Sequence, residues 1–212
     1  MAGPRDELLD AFGPTGQFLG PIERDEVHRR GLWHNVFHCL AVRSTPPATV
    51  FLQRRHRAAR SFAGLLDLTA TGHLASGETP VDGVRELREE VGLTADPGQL
   101  IPLGRRLVAD AAGEGSNCEF VHVFLLPTDA SLTDFNLDCC DADGVVEVAL
   151  SDLLVVLGDS AYLAPCRELD RDGAVHAGTL TAADLVPAVD GYWTVLAVMA
   201  QRFATGRRPL AI

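Results

Sequence analysis

The chain has 212 residues, a formal net charge of −11 at pH 7 and 47% hydrophobic residues. This length and hydrophobicity predict a folded globule with a substantial core and exclude a generally disordered chain. The acidic balance argues against attraction to a nucleic-acid backbone, so we expect no nucleic-acid partner. All 18 basic residues are arginines, which excludes chemistry that depends on a lysine, such as a Schiff base.

Two further features bear on the compartment. The cysteines number five, an odd count without a C-x-x-C pair, which argues against a secreted disulfide framework. The first ten residues lack a basic region followed by an apolar core, and no apolar run approaches the roughly 20 residues that span a bilayer. We therefore expect a soluble, cytoplasmic protein without a membrane partner.

The first part of the chain reads mainly as β-structure. Glycine–proline pairs at 13–14 and 20–21 predict turns, with a strand or hairpin within residues 6–20. Runs of β-forming residues predict neighbouring strands over 33–42 and 49–53, and a further short strand over 65–71. A helix is predicted next, with Thr79 as its N-cap, Pro80 at its first position and Gly92 at its end. Apolar residues recur along it at helical spacing, at Val81, Val84, Leu87 and Val91.

The second part of the chain also combines predicted strands and helices. Strands are predicted over 101–108, 119–126 and 145–150, followed by a short helix over 151–157. Residues 158–180 have no regular pattern, and residues 181–203 are predicted to be largely helical. Strands on both sides of a central helix predict an α/β fold with a sheet between helices. We expect one domain over residues 1–212, with a helical extension from about 158 to 212.

Three carboxylates lie together on the predicted central helix. Glu86, Glu89 and Glu90 are spaced i, i+3 and i+4, which places them on one arc about 100° wide. Their mutual repulsion costs about 0.2–0.5 kcal/mol per pair, and a divalent cation would offset it. Ligands that are all oxygen favour Mg²⁺ or Mn²⁺ over zinc. The alternative is a solvated acidic face with Arg85 and Arg88 as ion-pair partners.

The residues around this helix resemble a known signature. Gly72, five residues, Glu78 and then the segment Arg85–Leu93 (RELREEVGL) resemble the Nudix signature, G-x5-E-x7-R-E-U-x-E-E-x-G-U with U aliphatic. The resemblance implies an α/β/α sandwich with a central mixed sheet, and metal-dependent hydrolysis of a diphosphate linked to another moiety. It implies that Glu86, Glu89 and Glu90 bind the metal, with the Gly72 carbonyl as a further ligand.

The same resemblance assigns the remaining catalytic positions. Arg85 orients a carboxylate, and Glu78 and Glu89 belong to the catalytic set. The chain departs from the pattern at one place, because six residues separate Glu78 from Arg85 where the signature has seven. The missing residue is expected to change the position of Glu78 relative to the helix. Asp82-Gly83 stands where the helix usually begins, which predicts a shifted or distorted first turn. The alternative to an enzyme is therefore a Nudix module that binds nucleotides with weak or no catalysis.

Segments outside the signature resemble one branch of the family. These segments, at 26–34, 51–55 and 67–78, are similar to isopentenyl-diphosphate isomerase and its hydrolase relatives. The isomerase holds a metal with three histidines and two glutamates and uses a catalytic cysteine. The matching positions here are His28, His34 and His73 for the histidines and Glu119 for one glutamate, with Thr71 at the cysteine and Asn117 at the other glutamate. Because threonine cannot replace the acidic thiol, we expect a hydrolase rather than an isomerase.

Several residues remain as candidates for substrate and metal contacts. The basic loop offers Arg54, Arg55 and Arg57 to a phosphate, unless it is merely a solvated loop. The general base is left open between Glu89, Glu114 and Glu119, and possible additional metal-site residues are Glu119, Glu114 and His73. Trp33, Trp193, Tyr162 and Tyr192 are candidates for stacking on a base or for packing. The predicted partner is a small diphosphate substrate, and a homodimer is possible.

Overall fold

The computed structural model describes residues 7–110, 117–138, 140–188 and 190–212. Eleven strands form one sheet, accompanied by four α-helices in these residues. The strands are β1 (Leu8–Phe12), β2 (Phe18–Glu23), β3 (Trp33–Arg43), β4 (Thr49–Arg54), β5 (Leu66–Asp67), β6 (Ala70–His73), β7 (Ile101–Asp110), β8 (Asn117–Pro127), β9 (Gly144–Ala149), β10 (Ala164–Asp170) and β11 (Val175–Leu180). The helices are α1 (Arg24–Arg30), α2 (Arg85–Val91), α3 (Leu150–Gly158) and α4 (Tyr192–Ala204).

Strand β3 organises the sheet. One of its edges pairs in parallel with β8 from Trp33 to Val42. Its other edge pairs in succession with β1, β6 and β4, all antiparallel. The sheet then continues from β4 through β9 and β10 to β11. The combination of parallel and antiparallel pairs confirms the predicted mixed sheet.

Helices cover both faces of this sheet. Successive side chains of a strand point to opposite faces, and β3 follows this rule. Phe37, Cys39 and Ala41 pack in one core with Leu87 and Val91 of α2. The alternate β3 residues Val36, Leu40 and Val42 pack in a second core with α3 and α4. The arrangement confirms the predicted α/β/α sandwich, and no helix in the described residues is both long and apolar enough to cross a membrane.

The start of the central helix differs from the prediction. Asp82 Oδ2 accepts hydrogen bonds from the Thr79 backbone N–H (2.7 Å) and hydroxyl (2.6 Å), so Thr79 belongs to a preceding turn and does not cap the helix. A 3₁₀ turn over Asp82–Val84 then leads into α2 at Arg85. Val81, predicted on the apolar face, is 40% exposed because it lies before the helix. The helix itself and its end at Gly92 are confirmed.

The prediction of a helical extension over about 158–212 is wrong for its first half. Residues 164–180 form the hairpin β10–β11, which extends the sheet beyond β9. The Asp170 side chain accepts hydrogen bonds from the Asp172 and Ala174 N–H groups (both 2.9 Å), and Gly173 adopts a φ of +78°. The Asp-Gly pair at 172–173 is a hairpin signal that could have been recognised in the sequence.

The strand predicted over 65–71 is divided into β5 and β6. At the division, the buried Thr69 hydroxyl accepts from the Ala41 N–H (2.8 Å) and donates to the Phe51 carbonyl. Thr69 thereby bridges β3 and β4 where the two strands separate. The result is a gap in the backbone pairing between β4 and β6, which we call the β4–β6 gap (lined by Gln53 and Thr71).

Candidate active site

The Arg85 side chain connects the acidic residues at the start of α2. Its Nε donates to Glu78 Oε1 (2.8 Å), and its Nη1 donates to Glu86 Oε1 (2.7 Å) and Glu89 Oε2 (2.9 Å). Its Nη2 donates to the His73 carbonyl oxygen (2.9 Å), which fixes the guanidinium against β6. One planar cation therefore holds three carboxylates and a strand in a fixed arrangement.

The short spacing between Glu78 and Arg85 does not break this arrangement. The segment between them ends in the 3₁₀ turn over Asp82–Val84, which has three residues per turn instead of 3.6. This tighter winding accommodates one residue fewer before Arg85. Gly83 also lies flat against Phe37, since a Cβ at this glycine would come within 2.5 Å of the Phe37 side chain.

Glu86 is 9% exposed and lies against β6. A Cβ atom added to Gly72 would lie 2.1 Å from Glu86 Cδ, so only glycine leaves room for this carboxylate. The observed contribution of Gly72 to the site is thus this close approach, and its carbonyl as a metal ligand remains a prediction.

Gly72→Ala is expected to displace Glu86. The added methyl overlaps the carboxylate, and overpacking of this kind costs about 1–3 kcal/mol. We expect a lower melting temperature and metal affinity reduced by about tenfold, since one candidate ligand has moved. Thermal unfolding and calorimetric metal titration measure the two effects. Gly158→Ala is the matched control because no atom of the described part of the chain lies within 4 Å of its added Cβ. Equal metal affinity in both variants would contradict the assignment.

Glu90 reaches from α2 into the β4–β6 gap. Its Oε2 accepts hydrogen bonds from the Gln53 side-chain amide (2.7 Å) and from the Thr71 backbone N–H (2.6 Å). Among the described residues its Oε1 accepts no hydrogen bond, so one oxygen remains for a cation. Sequence reasoning missed both Gln53 and Thr71 N–H, because neither is marked by a pattern along the chain.

Two of the carboxyl groups hold their protons unusually strongly. Burial, reinforced by the nearby Glu89 charge, raises the pKa of Glu86 to about 7. Burial and the neighbouring Glu86 raise the pKa of Glu90 well above its usual range. A divalent cation would reverse both effects, because it stabilises the ionised forms. The clustered carboxylates offer only oxygen atoms as ligands, and such a set fits Mg²⁺ or Mn²⁺.

Metal binding at pH 6 is therefore expected to release protons. Glu86 is mostly protonated there and must ionise before it can coordinate a cation. In the metal-free protein, a pKa raised from 4.5 to about 7 contributes stability that is present below pH 4.5 and lost as the pH rises through about 7. Calorimetric titrations of Mn²⁺ in two buffers of different ionisation enthalpy measure the released protons at pH 6 and pH 8. More release at pH 6 is expected, and equal release would contradict a role for Glu86.

The basic loop after β4 does not present its arginines equally. Arg54 forms a two-point ion pair with Glu168 of β10, with 2.7 Å between Nη2 and Oε2. Arg57 bonds Asp143 through its backbone N–H (2.8 Å) and Nε (3.2 Å). Arg55 donates to Asp67 (3.0 Å), and its charge acts on Glu90. Of the three predicted phosphate ligands, Arg55 is the one that the structure brings to the carboxylates.

A second polar group lies on the sheet face that α4 covers. The Tyr192 hydroxyl hydrogen-bonds His38 Nδ1 (3.0 Å), and the Arg106 guanidinium lies 4.1 Å from the Tyr192 ring centroid. Glu119 accepts from the Asn117 side chain (2.6 Å), and burial raises the pKa of Glu119. Glu119 thus lies in this second cluster of polar residues and not in the cluster around Arg85. Glu114, another candidate for the general base, lies outside the described residues.

Three histidines meet where α1, β3 and β6 come together. His28 of α1, His34 of β3 and His73 of β6 have ring centroids 4.9–5.1 Å apart, and their candidate ligand atoms lie within 4.8 Å of one another. The Nε2 atoms of His34 and His73 are buried and have no hydrogen-bond partner among the residues that the structure describes. Burial lowers the pKa of His34 to about 4, so the ring is neutral, as metal binding requires. Arg24 Nε donates to His73 Nδ1 (3.3 Å), which leaves the proton of neutral His73 on Nε2.

The four aromatic candidates have different surroundings. Trp193 is buried and donates from Nε1 to the Val186 carbonyl (2.8 Å), while Tyr162 donates to Asp152 (2.8 Å). Tyr192 is buried against His38, as described above. Trp33 is partly exposed and stacks on Phe120, with centroids 4.9 Å apart. Trp193, Tyr162 and Tyr192 therefore serve packing and hydrogen bonding within the protein.

The comparisons with known proteins identify the family of this chain. The model of the NUDIX domain family matches residues 33–161, which is more than half of the chain. The chain belongs to the Nudix family. An uncharacterized Nudix hydrolase of Clostridium acetobutylicum is 30% identical over 196 residues, covering 90% of this chain and 95% of that protein. This family assignment places the chain among the pyrophosphohydrolases.

Two further proteins are similar to this chain, one over a shorter region and the other at lower sequence identity. An uncharacterized Nudix hydrolase of Rhodococcus erythropolis is 36% identical over 106 residues, covering 48% of this chain and 57% of that protein. The crystal structure of DR0079 from Deinococcus radiodurans superposes with a TM-score of 0.52 at 23% identity, covering 72% of this chain and 89% of that one. At this identity the superposition supports the Nudix fold alone.

Proposed function

We propose that this Nudix protein hydrolyses a diphosphate linkage in a nucleoside diphosphate or a nucleoside-diphosphate-linked substrate. The observation that carries the proposal is the Arg85 guanidinium, which holds Glu78, Glu86 and Glu89 at 2.7–2.9 Å. Glu86, Glu89 and Glu90 would hold Mg²⁺ or Mn²⁺. The bound ion would neutralise the phosphates and lower the pKa of the attacking water.

The remaining groups have distinct tasks in this proposal. Arg85 is a positioning residue, and Glu78 orients it while accepting the Ala75 N–H (2.7 Å). Glu89 is the proposed general base, because its side chain is 43% exposed and can accept a proton from water. Arg55, held by Asp67, binds a phosphate oxygen of the substrate.

The direct test is phosphate release from a panel of nucleoside diphosphates, sugar nucleotides and dinucleotides. Each reaction contains Mg²⁺ or Mn²⁺, followed by pyrophosphatase and phosphatase to liberate inorganic phosphate. Turnover of one class that is lost in Glu90→Gln supports the hydrolase and identifies the substrate class. Absence of turnover across the panel, with the chain folded and metal-bound, contradicts the proposal.

A binding module without catalysis is the first alternative. Its motivation is the residue missing between Glu78 and Arg85, yet the 2.8 Å contact between these two side chains is retained. Nucleotide binding by equilibrium dialysis without turnover under either metal would favour the module over the enzyme.

An isomerase-like activity is the second alternative, and the histidine cluster is the observation that favours it. Glu119 lies directly opposite His34 in the β3–β8 pairing, so the two side chains share one face of the sheet. Thr71 argues against it, because its hydroxyl is far less acidic than a cysteine thiol. Incubation with isopentenyl diphosphate separates the two activities, since isomerisation yields dimethylallyl diphosphate and releases no phosphate.

A further inference from the structure

A cleft separate from the acidic helix opens between the turn at 14–16 and strand β7. Its volume is about 580 Å³, within the roughly 300–1,000 Å³ typical of small-molecule sites. Phe12, Trp33, Asn35, Arg105, Leu107 and Phe120 line it together with the turn. We call these residues the aromatic cleft. The cleft involves β1, β3, β7 and β8, whereas Glu90 lies in the β4–β6 gap.

Aromatic rings form the apolar part of the cleft. Trp33 and Phe120 are stacked, with centroids 4.9 Å apart and planes inclined by 25°. Phe12 meets Phe120 edge to face, at 5.7 Å and 75°. All three rings are partly exposed, so each keeps surface that a ligand can contact. Such a group of rings favours a ligand with a planar, apolar body.

The polar groups of the cleft are donors. The Arg105 guanidinium lies over Phe120, 5.0 Å from the ring centroid, and forms no ion pair with the described residues. His122 Nε2–H donates to Asn35 Oδ1 (3.0 Å), which orients the Asn35 amide and leaves its N–H groups for a ligand. No carboxylate lines the cleft within the described part of the chain. In a chain of net charge −11, this local excess of donors selects an acceptor-rich, anionic ligand.

We propose that the aromatic cleft binds a planar ring system that carries an anionic group, as nucleotides and aromatic sulfonates or carboxylates do. The rings contact the planar body, and Arg105 pairs with the anionic group. The site goes beyond the proposed hydrolysis, because binding requires neither the metal nor the carboxylates of α2. It is a second ligand site on the same sheet.

Tryptophan fluorescence provides a direct test. The chain has two tryptophans, so Trp193→Phe leaves Trp33 as the single reporter. This variant is titrated with adenosine 5′-monophosphate, adenosine and naphthalene-2-sulfonate in EDTA. We expect saturable quenching by the two anions and about tenfold weaker binding of uncharged adenosine. The relative affinities of the two anions identify whether the cleft prefers a nucleotide or another aromatic anion.

Arg105→Gln provides the charge test. Arg105 is exposed, so its replacement leaves the core intact. We expect adenosine monophosphate to bind this variant about tenfold more weakly, with adenosine binding unchanged. Glu90→Gln in the same background is the control that must bind normally. Equilibrium dialysis of the unaltered chain with adenosine monophosphate repeats the measurement without replacing Trp193.

Three outcomes would overturn the proposal. The first is no saturable binding of either anion up to about 1 mM. The second is unchanged binding in Arg105→Gln or lost binding in Glu90→Gln. The third is a dimer in sedimentation that Leu107→Asp converts to monomer without any anion binding, since the 59% exposed Leu107 would then be covered by a second copy. Because metal is absent throughout, failure here leaves the proposed hydrolysis untouched.

Discussion

Replacing Glu90 with glutamine is expected to lower metal-dependent turnover by at least about 100-fold. Loss of a residue that only supports a metal ligand already lowers metal affinity or activity by about 10- to 100-fold. Glu90 is proposed as a ligand itself, so a larger effect is expected. The substitution preserves size but removes the charge that would coordinate the cation. The value of kcat/KM under saturating Mg²⁺ or Mn²⁺, measured on the substrate found in the panel, gives the effect.

The thermal stability of the Glu90→Gln variant shows whether its loss of turnover comes from a missing metal ligand or from unfolding. Because the Glu90 carboxyl has a strongly raised pKa in the metal-free protein, a neutral glutamine is expected to unfold at the same or a higher temperature. Glu26 is a partly exposed residue of α1 that pairs with Arg29, and Glu26→Gln should retain full turnover. Full turnover in Glu90→Gln would remove this residue from the metal site.

Replacing Arg85 with lysine is expected to lower kcat/KM by about 10- to 100-fold. The guanidinium donates to three carboxylates and to the His73 carbonyl in one plane, and a lysine ammonium cannot reproduce that geometry. Glu86 and Glu89 would then lose their fixed positions relative to each other. We expect weaker metal binding and a reduced kcat, because Arg85 acts through the carboxylates rather than on the substrate.

Arg88→Lys is the matched control for this experiment. Arg88 lies on the same helix, is exposed, and its side chain forms no ion pair within the described residues. Its replacement should leave both metal affinity and turnover close to the original values. If the two variants behaved alike, the positioning role of Arg85 would be refuted.

Helical spacing explains why the acidic site was predictable. Residues at i, i+3 and i+4 share a face in any helix, so Glu86, Glu89 and Glu90 could be grouped before any fold was known. The strands and the layers followed similarly from alternation and from the order of the elements. The metal roles of these glutamates remain predictions, but the grouping with Arg85 and Glu78 is present in the structure.

Contacts between distant parts of the chain explain what the sequence could not predict. Arg54 pairs with Glu168, 114 residues away, and Arg57 pairs with Asp143, 86 residues away. Their assignment to phosphate followed from local charge, which carries no information on such partners. The position of Gln53 beside Glu90 likewise depends on the separation of β4 from β3. In each case the partner is determined by tertiary packing and not by neighbouring residues.

The ion pair between Arg54 and Glu168 ties the β10–β11 hairpin to the loop after β4. Glu168 belongs to the β10–β11 hairpin, which lies beyond residues 33–161 that match the family, whereas Arg54 directly precedes the proposed phosphate ligand Arg55. The hairpin therefore braces the base of the loop that carries Arg55, although it lies outside the matched region. A substitution that breaks this ion pair is expected to shift Arg55 without altering any residue of α2.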